Sequence, residues 1–139
     1  MGIYLNPKNV LFRQDLNGEI YVDKSLIIEK LNNLIDTPDN YLCISRPRRF
    51  GKTMATNLIS AYYSKGCDSR ELFSNLKIAN VPGWDKNLNK FNVIKLNLVG
   101  FYTDLKDKAD LPEYISKCVN KELIKAFPDA EIEKEDNLS

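Results

Sequence analysis

The chain has 139 residues, 43% hydrophobic and 28% charged, which suits one domain, or part of a larger one, with a real core and an ordinary soluble composition. Lys and Arg number 20 against 19 Asp and Glu, so the formal charge of +1 excludes any global pull toward nucleic acid or anionic membrane, and a basic site must be local. There is no histidine, which excludes histidine acid–base catalysis within the chain. The three cysteines, Cys43, Cys67 and Cys118, form no CxxC pair and argue against a zinc site. They read as buried small hydrophobes in an intracellular, cytoplasmic protein with reduced thiols. Met1–Pro7 lacks the basic-then-apolar arrangement of a signal peptide, and no apolar run approaches the length of a membrane span, so no membrane contact is expected.

Residues 1–20 read as an irregular segment, with Asn6-Pro7 and Asn17-Gly18 as turn signals. Glu19-Ile20-Tyr21-Val22 predicts a short strand. Asp23 is placed as the N-cap of a helix from Lys24 to about Ile35, whose Ile27, Leu31, Leu34 and Ile35 make one apolar stripe. Tyr41-Leu42-Cys43-Ile44 reads as a buried, central parallel strand. A helix is expected from about Lys52 to Ser64, ended by Lys65-Gly66. Asp68-Ser69-Arg70-Glu71 has capping-box form and opens a short helix. Val81–Trp84 is a loop, and Phe91–Val99 predicts a further strand. Asp110-Leu111-Pro112-Glu113 opens a helix running to about Phe127, where Pro128 stops it. Residues 129–139 are a polar tail expected to fray. Alternating strands and helices predict an α/β fold, P-loop NTPase-like, with a mostly parallel sheet flanked by helices.

The chemistry concentrates in Arg46-Pro47-Arg48-Arg49-Phe50-Gly51-Lys52-Thr53. A strand, a tight loop and Gly-Lys-Thr opening a helix form a phosphate-binding arrangement. The first helical turn offers unpaired N–H groups and a partial positive charge, and Gly51 lets the backbone approach phosphate without a Cβ. Lys52 can reach β- and γ-phosphates, and the Thr53 hydroxyl can ligate Mg²⁺. The standard pattern G-x-x-x-x-G-K-[ST] has glycine where this chain has Arg46. Arg48 and Arg49 are assigned as assistants to the phosphates, since arginine binds phosphate in a fork. Phe50 is expected to pack beneath the loop.

These residues resemble the R-P-R-R-F-G-K-[ST] signature of the AAA-ATPase-like family. Tyr21-Val22-Asp23-Lys24-Ser25 resembles the segment that precedes the loop in that family. Ala61-Tyr62-Tyr63, Glu71-Leu72-Phe73, Leu76-Lys77-Ile78 and Phe91-Asn92-Val93-Ile94 resemble its downstream pattern. The resemblance implies that residues 21–128 are the N-terminal part of a P-loop domain with ATP and Mg²⁺ as ligands. It also implies a longer protein, often with a C-terminal PD-(D/E)XK nuclease-like domain through which nucleic acid would be a partner. The family's Walker B run ending in Asp-Glu has no counterpart here. Asn97 and Gly100 lie near the end of the expected strand, and Asp104 follows Phe101-Tyr102-Thr103, so the carboxylates that support hydrolysis are missing from the sequence. A sheet left incomplete in this way predicts self-association through an open edge.

Two other readings stay open on the sequence. Arg46, Pro47, Arg48 and Arg49 could form a nucleic-acid-binding loop, or three solvated surface arginines. The loop could also belong to a fragment of a P-loop small-molecule kinase, although neither a lid with arginines nor an acceptor site is visible. Tyr62, Tyr63, Phe73 and Trp84 are expected in the core rather than in a stacking platform.

Overall fold

Helices carry the described chain: α1 (Val10–Leu16), α2 (Ile27–Leu34), α3 (Lys52–Tyr63), α4 (Arg70–Ser74), α5 (Leu98–Asp104) and α6 (Leu111–Ala126), with a 3₁₀ turn at Lys77–Asn80. The computed structural model describes residues 2–49, 51–104 and 110–130. Two compact units are distinguished, Lys8–Asn92 and the described residues of Met1–Pro7 with Val93–Ser139.

The expected α/β fold with a parallel sheet is overturned. Among the described residues there is no strand, only two isolated bridges, Leu5 with Ile94 (antiparallel) and Ser64 with Phe91 (parallel). An apolar run encodes a wish for burial, but a strand exists only where a partner supplies the other half of its ladder. Tyr41–Ile44 finds no such partner: it forms no regular secondary structure, and Tyr41 is 94% exposed. Ile20 and Val22 of the expected first strand are exposed as well. The third expected strand, Phe91–Val99, makes single bridges at Phe91 and Ile94 and then turns into α5. Asn97 explains that turn: its side-chain oxygen accepts from Val99 N at 3.2 Å and its carbonyl accepts from Gly100 N at 3.1 Å, which caps a helix start. Cys43 is exposed and Cys67 and Cys118 are half-buried, so the thiols are not core residues.

In the unit Lys8–Asn92 the core is aromatic. Phe12, Tyr62 and Phe73 are fully buried beside Ile28, Leu58, Ala61 and Ile78. Phe12 stacks on Phe73 at 4.9 Å, and Tyr62 meets Phe73 edge-on at 5.4 Å. Both tyrosine hydroxyls of α3 find partners, as burial requires: Tyr62 donates to the Trp84 carbonyl and Tyr63 to Asn32 Oδ1 at 2.7 Å. Burial raises the pKa of both phenols, so they stay neutral donors. The C-terminal end of α3 is closed by Asn89, held in the left-handed region at φ 54°. Its Nδ2 donates to the carbonyls of Ala61 (3.0 Å) and Ser64 (2.8 Å), and its Oδ1 accepts from Ser69 N (3.0 Å). One amide thus satisfies the end of α3 and the start of α4. Asp68 acts one residue earlier than the expected capping box, accepting from Arg70 N at 3.0 Å.

The second unit rests on a carboxylate. Glu122 of α6 accepts from three successive backbone N–H groups, Ile3 at 2.7 Å and Tyr4 and Leu5 at 2.9 Å. Leu5, Phe101 and Val119 are buried there, and Tyr4 stacks on Phe101 at 5.0 Å. Pro112 sits in the first turn of α6, where its missing N–H is harmless. Burial pushes the Glu122 carboxyl up, but the N–H groups of Leu5, Ile3 and Tyr4 outweigh it and hold the group below the ordinary glutamate value of 4.5. With the folded value depressed, this contact stabilises the fold above the unfolded value and is lost as pH falls through the folded one. Thermal melts between about pH 6 and pH 3 should therefore show a shallower acid loss for Glu122→Gln than for the native chain, with the native chain the more stable at the upper end.

Candidate phosphate-binding site

The loop that precedes α3 is built on two left-handed residues. Arg49 has φ 68° and Gly51 φ 76°, and they flank position 50. Phe50 itself lies outside the described residues, and so does the expected packing of its ring. Gly51 is the N-cap of α3, and no side chain caps that end. The N–H groups of Lys52, Thr53 and Met54 therefore have no intrahelical carbonyl to bond. Arg46, where the standard pattern has glycine, is not among the residues with positive φ. The left-handed turn has moved to Arg49, and Arg46 needs no glycine's freedom.

Lys52 opens α3 and folds back: its Nζ donates to the Arg46 carbonyl at 2.6 Å. That bond ties the two ends of the loop together. Pro47, Arg48 and Arg49 lie on the exposed turn between them, and Lys52 and Thr53 are exposed at the helix start. From Tyr41 to Cys67 the chain holds five cationic residues (Arg46, Arg48, Arg49, Lys52, Lys65) and no acidic one. The near-neutral total thus conceals one positive stretch, and four of its five charges, Arg46, Arg48, Arg49 and Lys52, lie at the positive end of the α3 dipole, while Lys65 follows its C-terminal end.

A match to the family described as "Predicted AAA-ATPase" extends over residues 12–138. The chain belongs to this AAA-ATPase-like family. Neither the curated proteins nor the solved structures contain a match to it. The family's description fits binding of ATP with Mg²⁺ in general. No helix among the described residues is long and apolar enough to cross a membrane.

Two cavities flank the start of α3 in this AAA-ATPase-like chain. One, of about 320 Å³, lies between Tyr21, Val22 and Lys24 on one side and Arg49, Gly51 and Met54 on the other. The second, of about 390 Å³, lies between Leu42 and Ile44 and the α3 residues Lys52, Ala55 and Ile59. The first brings in a segment whose role the sequence did not disclose. Asp23 does not cap α2, which begins at Ile27 with Leu26 as its N-cap. Its Oδ1 accepts from Ser25 N at 2.8 Å, and its Oδ2 accepts from Lys77 N at 2.7 Å, across 54 positions of sequence. The Ser25 hydroxyl, fully buried, accepts from Ile78 N at 3.1 Å. Asp23 and Ser25 together cap the 3₁₀ turn at Lys77–Asn80 and fix the backbone on both sides of Lys24. Burial pushes the Asp23 carboxyl up, but hydrogen bonds from the Ser25 hydroxyl and from the N–H groups of Lys77 and Ser25 keep it below the ordinary carboxylate value. Beside it, burial and then the charges of Asp23 and Asp15 push the Tyr21 phenol up to about 12, so it remains protonated.

Periodicity could not reveal this clamp, because its halves lie in separate segments. The one available signal was that Tyr21–Ser25 and Leu76–Ile78 both resemble the family pattern. Gly51 is required by its backbone: φ 76° disfavours any L side chain, whereas the nearest atom to a Cβ there, Lys24 Nζ at 2.8 Å, is the end of a flexible chain that can move aside. Gly51→Ala should destabilise the chain by about 1–2 kcal/mol in chemical denaturation. Ala55→Gly, in the exposed-helix range of about 1 kcal/mol, serves as the comparison for a simple propensity loss.

Proposed function

We propose that the loop Arg46–Thr53 binds the phosphates of ATP, or a related nucleotide, with Mg²⁺. The observation that carries this reading is the closed loop itself. Gly51 in the left-handed region opens a twelve-residue helix with no side-chain cap, and Lys52 is drawn over the loop onto the Arg46 carbonyl. The donor set fits a polyphosphate. An ammonium has three N–H donors, so the bond to Arg46 leaves Lys52 two for phosphate oxygens. Arg48 and Arg49 are exposed at the turn, and the absence of a Cβ at Gly51 leaves the backbone N–H groups approachable.

The fit extends to the metal. Thr53 offers an exposed hydroxyl one residue after Lys52, a hard oxygen donor of the type Mg²⁺ accepts. When bound, Mg²⁺ neutralises charge on the β- and γ-phosphates. The chain's own contribution is to bind and orient: Lys52 supplies a point charge, the arginines supply forked contacts, and α3 supplies oriented N–H groups. Membership of the AAA-ATPase-like family supports the same ligand class.

Titration with a fluorescent ATP analogue, with and without Mg²⁺, is the test. Saturable binding strengthened by Mg²⁺ is expected for the native chain, and Lys52→Ala should weaken it by at least about tenfold, the size of a lost charge-assisted hydrogen bond. A folded native chain that binds no nucleotide would contradict the reading. Binding that instead prefers single-stranded nucleic acid and collapses steeply with salt would transfer the arginines to nucleic-acid phosphates.

A further inference from the structure

We draw no further inference here: the strongest candidate, the apolar cavity of about 390 Å³ between Leu42 and Ile44 and the α3 residues Ala55 and Ile59, is an unpartnered apolar face, and nothing in the structure shows what covers it.

Discussion

Burial of the second half of α3 is the constraint on which the unit Lys8–Asn92 depends. Leu58, Ala61 and Tyr62 are sealed among Phe12, Ile28, Phe73 and Ile78, and Asn89 closes the helix's C-terminal carbonyls. Asn57, on the same half, donates to Asp15 of α1 at 2.8 Å. The first turn is the reverse: Lys52, Thr53 and Thr56 are exposed and the N-cap carries no capping side chain. A helix anchored at one end and uncapped at the other directs its free N–H groups and its positive dipole end at solvent in a fixed orientation. The same rigid element that organises the core therefore presents the loop.

What surrounds that helix end is assembled from far apart in the sequence. Arg46 is reached by Lys52 through its carbonyl, and Lys24 arrives from a segment pinned to the 3₁₀ turn by Asp23 and Ser25. The hydrogen bonds of this arrangement pair side chain with backbone: Asp23 and Ser25 accept from backbone N–H groups, and Lys52 donates to a carbonyl, which sets positions while occupying few cationic donors. Lys52 spends one donor of three, and the guanidinium groups of Arg48 and Arg49 remain at the surface. A chain with formal charge +1 thereby holds a local cationic centre, because its acidic residues are all placed outside Tyr41–Cys67.

Legibility in the sequence divided along physical lines. Long amphipathic or well-punctuated helices were readable: α2, α3 and α6 lie within the expected spans, since periodic apolar residues and the Pro112 and Gly66 signals act locally. α1 was missed because it is only seven residues long and buries one of them, Phe12, so no stripe exists to be read; Asn9 instead supports it by bonding the Asp68 carbonyl and Ser69. The strands failed for a different reason. Ile20–Val22 and Tyr41–Ile44 have strand-like composition, but pairing is a property of two segments, and the described chain supplies no partner. The loop residues were named from local pattern alone. The approach of Lys24 to Gly51, and the conversion of Asp23 from helix cap to long-range clamp, depend on contacts that no local pattern encodes.

The central claim is that an anion binds at the uncapped start of α3. Amide NMR spectra of the chain, recorded during titration with Mg²⁺ and ATP, test it most directly. The account predicts the largest shifts at the amides of Gly51, Lys52 and Thr53, a smaller response at Lys24, and little change at Tyr62 and Tyr63 at the buried end of the same helix. Saturable binding whose shifts fall elsewhere, leaving Gly51–Thr53 unmoved, would contradict it.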